Sequence, residues 1–289
     1  DRHGGARRQP GDRHQRRGGP ERDRPEQLSG DGSGGHRAPA GEVGAAGAGG
    51  VVTVRADNGT ITLNNITTRG GSNTAGGTGA AGGLIQLYSG TSGNIILGTS
   101  PLIAAGSGAA ADGQLKIISQ SGVTLSNNTN MVGTLAANVT SGVLQYADTG
   151  ATNAVTIGNI TANGTLSGAN LGTVTGVTAG APSVYANGTL TVAADVTGGS
   201  GNLFLQVNGD NGLLTINSGT AVASSGEFVS LTADRMNLAG NVSVASNTRQ
   251  VNLQPRSSGG ARPVDIGGAD NNNLTRAGGT LGLDTTELS

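Results

Sequence analysis

The sequence predicts an all-β chain: a right-handed parallel β-helix (β-solenoid) of about eight coils behind a disordered N-terminal tail. Three observations predict it. Short runs of β-forming residues, many of them alternating, recur at intervals of about 19 to 40 residues, the range of stacked repeat arrays. Glycine, asparagine or aspartate fills many of the gaps, and these residues supply the positive φ that tight corners need. Large side chains are nearly absent. The chain has 54 glycines, 2% aromatic residues and no tryptophan, and its 34% apolar share is mostly Val, Ile, Leu and Ala. A sandwich core normally uses aromatic anchors, whereas a thin coil can stack small aliphatics on their own kind. Right-handedness follows from the hand of parallel crossover connections.

Residues 1–42 form the tail. Leu28 is the only large aliphatic residue there, so the segment buries too little apolar surface to offset ordering its backbone. Residues 1–40 hold nine of the 17 basic residues, six of the 18 acidic ones and all three histidines, giving about +3, while the rest of the chain carries about −4. The tail reads as a solvated low-complexity segment. Its abrupt Arg, Gly, Pro, Ala, Asp and His content is also that of a GC-rich gene read out of frame.

Residues 43–289 form the solenoid. Its principal runs start near 51, 84, 114, 143, 183, 202, 227 and 250, and a second short run such as "TITL", "NIIL", "TLTV" or "LLTI" usually follows. Weaker third runs include "PLIA", "GTLA" and "NVSV". In "NLFLQV" the period of two places Leu203, Leu205 and Val207 inward, with Asn202, Phe204 and Gln206 outside. The turn "NGDNG" after it is also a strong hairpin signal. A meander of antiparallel pairs is therefore the competing architecture. Asn and Thr can form ladders between adjacent coils. The glycine-rich stretches 69–83 and 104–113 read as projecting loops, more simply flexible padding than binding elements.

Chemistry is sparse. Cysteine is absent, so disulfides and thiolate catalysis are excluded. His3, His14 and His36 all lie in the tail, which leaves no anchored Ser-His-Asp set and no zinc cluster in the body. Lys116 is the only lysine and follows no phosphate-binding loop. Paired carboxylates are the one catalytic option, because glycosidic hydrolysis needs two of them roughly 5–10 Å apart. The C-terminal candidates are Asp210, Asp234, Asp265, Asp270, Asp284 and Glu287, most of them single and beside turn residues. "GGADNNNL" at 267–274 is a weak match to a calcium-binding repeat and reads as a polar loop. Threonines such as Thr173 and Thr175 do not recur at one position of every coil, which argues against an ice-binding face. No catalytic, cofactor or metal residue is assigned, and the body carries no basic patch for nucleic acid. No run approaches the length of a membrane span.

The C-terminal part carries a more specific pattern. "VSLTADRMNLAGNVSVASNTRQVNLQP", then "PVDIGGAD" and "LGLDTTELS", resembles the filamentous haemagglutinin-like family of large exported bacterial proteins. The matching positions are Leu231, Thr232, Ala233, Asp234, Arg235, Met236 and Leu238, then Val251, Leu253 and Pro255. They continue with Val264, Asp265, Ile266 and Gly267, and end at Leu281, Leu283, Asp284, Glu287 and Leu288. These motifs are structural and carry over no active site. The resemblance implies a right-handed β-helix exported by two-partner secretion or an autotransporter route. It also implies an outer-membrane transporter as export partner. Adhesion at the bacterial surface would then be the function, with a host-surface glycan or protein as ligand. The family's N-terminal secretion domain and its Asn-Pro-Asn signature are not found, so the chain reads as an internal piece. A polysaccharide-active enzyme fragment and a passive stalk are the alternatives.

Overall fold

The computed structural model describes residues 46–72, 79–107, 110–148, 154–161, 172–210, 212–245 and 249–256 in full. It adds the backbone of the strands Leu28–Asp31, Val264–Ile266 and Leu281–Leu283. Every regular element among these residues is a strand.

Two large sheets hold most of the strands. Sheet I has 13 and sheet II has eight. The chain visits them in turn: Val51–Ala56 lies in sheet I, Ile61–Leu63 in sheet II, Leu84–Ser89 in sheet I, Ile95–Leu97 in sheet II. Each strand pairs in parallel with its counterpart one repeat later, so Val51–Ala56 matches Leu84–Ser89 residue for residue. This decides between the two architectures. Leu203–Val207 and Leu213–Ile216, the runs on either side of "NGDNG", lie in different sheets and do not pair with each other. The pattern is compatible with a parallel β-solenoid. Only two antiparallel pairs occur among the described strands, Leu28–Asp31 on Val51–Val54 and Asn159–Ile160 on Val174–Thr175. The first lies inside the segment read from sequence as the tail and covers the free edge of Val51–Ala56. The remainder of residues 1–42 lies outside the described residues.

Parallel register aligns like with like. On the inner side of sheet I, Ile85, Leu115, Leu135, Ile157, Val192 and Ile216 stand in one column and are fully buried. A second column runs through Leu87, Ile117, Ala137, Val177, Val196 and Val222. Sheet II contributes Leu125, Tyr146, Val184, Leu205 and Leu231. Each Leu, Ile or Val buried this way contributes about 1.5–3 kcal/mol. Leu203, Leu205 and Val207 point inward and Asn202, Phe204 and Gln206 outward, as the alternation predicts.

The layers change shape midway. In the earlier layers a short third sheet pairs Ile66–Thr67 with Leu102–Ile103, and the bridge from Ile103 to Met131 ends it. Beyond that point the six-residue strand Thr134–Val139 carries two short strands on top, Ala154–Ile157 on its first half and Val177–Ala179 on its second. Every later layer of sheet I keeps this division. Between the two short strands the chain leaves on an excursion closed by the bond from Gly176 N to Gly158 O, 3.0 Å. Gly176 needs its positive φ of 63° there, and a Cβ would stand 2.0 Å from the Asp195 carbonyl oxygen. The ends of the excursion fold back over the outer side of sheet I. Ile160 and Val174 cover Leu84 and Ala136 as a second small core.

The glycine-rich stretches correct the padding expectation at their described ends. Gly49 N donates to Ala81 O at 3.0 Å and Gly82 N to Ala111 O at 3.1 Å, so the loop bases are themselves layered. A Cβ on Gly113 would lie 1.9 Å from the Gly83 carbonyl oxygen. Glycine is required there for close backbone stacking. Residues 73–78 and 108–109 lie outside the described residues.

At the C-terminal end, the resemblance region supplies Phe228–Thr232, Arg235–Leu238, Asn241–Val244 and Gln250–Gln254, one passage from sheet II through both halves of sheet I and back. Val251 extends the inward column of Leu203 and Val229 yet is 38% exposed, since no further strand among the described residues pairs onto it. Val264–Ile266 pairs with Leu281–Leu283 in parallel, and the latter lies beside Arg235–Leu238.

Candidate functional site

Of the acids named from sequence, two are described with their side chains. Asp210 sits in an exposed turn with Oδ1 3.6 Å from Arg256 Nη1. Asp234 occupies the equivalent corner one layer on, where Arg235 N donates to Gly212 O at 3.0 Å, but it is buried. A buried carboxylate and an ion-paired exposed one do not form an accessible catalytic pair. Asp265 lies in the strand Val264–Ile266, described by backbone alone, and Asp270, Asp284 and Glu287 lie outside the described residues. So do His3, His14, His36, Thr173's neighbours 162–171, and the stretch 267–274. Among the described residues no three His, Cys, Asp or Glu side chains stand together as a metal-binding set, and no helix is long and apolar enough to cross a membrane.

Lys116 points to the outer side of sheet I but is buried under the excursion, where its Nζ donates to the Gly172 carbonyl oxygen. Burial lowers its pKa from the usual 10.5. Its outward neighbours in register, Gln86 and Ala136, are buried as well.

A buried polar group marks where the third sheet stops. Asn130 Oδ1 accepts from Leu102 N at 2.8 Å, and its Nδ2 donates to Leu125 O and Ala147 O at 3.0 and 2.8 Å. Asp148 Oδ2 accepts from Val132 N at 3.1 Å and from the Tyr146 hydroxyl at 3.2 Å. In a parallel ladder alternate residues bond to opposite neighbours. Met131 is bonded to the layer below, so Val132 N faces the layer where the third sheet is missing. The carboxylate supplies the acceptor that a strand would have provided. Burial, then the charge and hydrogen bond of Asp148, with Asp112 adding, hold the Tyr146 phenol well above its usual 10.0. All three side chains are fully buried, and their role is to terminate a sheet. Sequence reasoning missed them. An Asn, a Tyr and an Asp among many turn-forming polar residues give no signal until register brings them together.

Threonine lines one column of sheet I for part of its length, without recurring in every layer: earlier layers place Gln114 and Leu84 there. Thr134, Thr156, Thr191 and Thr215 share one column over successive layers, followed by Asn237. Thr156, Thr191 and Thr215 each stand third in a short run of the same kind (AVTI, TLTV, LLTI), and the pairing register adds Thr134 to them.

The outer side of sheet II gathers three of the four accessible rings, the fourth, Tyr88, lying on the outer side of sheet I under the Arg55 guanidinium. The chain has three Tyr, two Phe and no Trp. Tyr185, Phe204 and Phe228 lie there on three successive strands, all half-buried. Register steps them diagonally. Phe204 follows Ser183, two residues before Tyr185, and Ser230, two residues after Phe228, follows Phe204. The Phe204 and Phe228 rings meet edge to face, centroids 5.3 Å apart at 87°. Around them stand amides and hydroxyls. Gln206 follows Tyr185, Thr232 follows Gln206, and Gln250, Asn252 and Gln254 face outward on the last strand. Asn202 Oδ1 accepts from Phe228 N at 3.3 Å. The strand alternation places these residues outward, but no local motif shows that they converge. Compared with protein-family models, curated proteins and solved structures, the chain matches none.

Proposed function

We propose that this chain is part of a secreted or surface-exposed adhesin of the filamentous haemagglutinin-like kind: a right-handed β-helix of about eight coils working as a rod for reach and display. The observation that supports this reading is the parallel, in-register layering of both large sheets. Such layering repeats outward positions along one axis and so offers several weak contacts to one partner. The C-terminal motif resemblance adds the export route, with an outer-membrane transporter as partner, and a host-surface glycan or protein as ligand. The burial of Asp234 and the ion pair of Asp210 favour this reading over a carbohydrate-cleaving one. The test coats fluorescent beads with the full chain and counts those retained on epithelial monolayers after washing. Retention several-fold above albumin-coated beads is expected. Retention no higher than albumin would remove the adhesin reading.

A further inference from the structure

We infer that the outer face of sheet II, from Gln145 to Gln254, is a binding platform for a neutral oligosaccharide chain, centred on Tyr185, Phe204 and Phe228. This deepens the adhesin reading by naming the ligand class and the face.

Three features lead to that chemistry. First, the rings are concentrated. A chain with 2% aromatic residues places three of them on consecutive strands of one exposed face. With strands about 4.8 Å apart, the diagonal spans roughly the length of two or three sugar rings. The flat C–H face of a pyranose packs on an aromatic ring, which offers large contact area at small entropic cost. Second, the surrounding groups are carboxamides and hydroxyls: Gln145, Gln206, Gln254, Asn252 and Thr232. A primary amide both donates and accepts, so it can satisfy neighbouring sugar hydroxyls without a charge. Third, the outward strand positions over this span include no Asp, Glu, Lys, Arg or His. The charges that border the face, Glu227 and Arg249 at one edge and the Asp210–Arg256 pair at the other, sit outside the strands. An anionic polysaccharide or a nucleic acid would meet no counter-charge within the face, and the arginines at its edges are engaged, Arg249 with the Gly226 carbonyl and Arg256 with Asp210, whereas a neutral glycan complements the face.

The rings also pack on each other, and cross-strand aromatic pairing stabilises sheets by itself. The test therefore reads binding and folding separately. The full chain is run in native gels cast with neutral soluble polysaccharides (galactomannan, xyloglucan and mixed-linkage β-glucan) and, in parallel, with heparin. Retardation by at least one neutral polymer is expected, unchanged by added salt. Tyr185→Ala and Phe204→Ala should each weaken it roughly tenfold. Gln206→Ala, which leaves the rings in place, should weaken it by a smaller factor at the same circular dichroism spectrum. No retardation by any neutral polymer would overturn the proposal. So would retardation by heparin alone, or by neutral polymers equally in all three variants. Bead adhesion separates the two readings. If beads adhere and the ring variants adhere as well as the parent, the adhesin stands and the glycan platform falls. If beads fail to adhere while the gels show ring-dependent retardation, the reverse holds.

Discussion

A residue's place in its column sets what its replacement costs. Leu205 is fully buried between Val184 and Leu231, and Gln206 beside it faces outward. Leu205→Ala should lower unfolding free energy by about 2–5 kcal/mol, and Gln206→Ala should stay within about 0.5 kcal/mol; urea unfolding measures both. Asp148→Ala leaves Val132 N and the Tyr146 hydroxyl without their acceptor, at about 1–3 kcal/mol for each donor. Asp148→Asn keeps an acceptor oxygen and should lose less. The phenol of Tyr146 adds a pH dependence. Its folded pKa is raised, so the protonated form is favoured by folding. That stabilisation is complete below the free phenol's value near 10 and is lost as pH rises from there toward the folded value. Thermal midpoints above about pH 10 should therefore fall more steeply in the parent than in Tyr146→Phe.

At the scale of elements, the excursion over sheet I depends on its closed base. Gly176→Ala forces a side chain into positive φ and against the Asp195 carbonyl, which should destabilise by about 1–3 kcal/mol or more. Lys116 beneath the excursion works in the opposite sense to Tyr146. Its pKa is lowered, so folding favours the neutral amine, and stability should rise as pH climbs through the folded value toward 10.5. Lys116→Met should flatten that rise below about pH 10 in the same thermal scans. How much of this was legible in the sequence differs by element. The inward set of "NLFLQV" was readable because alternation is local. The sheet assignment of the runs was not. Those at 51, 84 and 114 belong to sheet I, whereas those at 143, 183, 202, 227 and 250 belong to sheet II. The exchange happens at Thr134–Val139, whose start "GTLA" looks like a weak third run because its inner positions include Ala137 rather than a larger aliphatic. Depth of side chain measures packing space and does not encode which sheet a strand joins. The excursion was unreadable for a similar reason: two-residue strands at Asn159–Ile160 and Val174–Thr175 have no periodicity to detect.

At the scale of the whole molecule, stability is a sum over neighbouring layers, and the ends are the weak points. Leu28–Asp31 shields one edge by antiparallel pairing, while Gln250–Gln254 has Val251 at 38% exposure. Hydrogen exchange should accordingly be slowest in the middle strands, such as Gln114–Ser119 and Thr134–Val139, and fastest in Gln250–Gln254. The candidate face of sheet II belongs to this scale too, because no single strand carries it: register assembles Tyr185, Phe204 and Phe228 from three strands. The central claim is the parallel layering, and an engineered disulfide tests it most directly, since the chain has no cysteine of its own. Thr178 and Thr197 are both exposed and are register partners on adjacent strands of sheet I. In the double variant Thr178→Cys/Thr197→Cys, mild oxidation should give a near-complete intramolecular disulfide, identified by peptide mass spectrometry, with the fold unchanged by circular dichroism. A folded double variant whose two thiols stay free under the same oxidation would contradict the stacking.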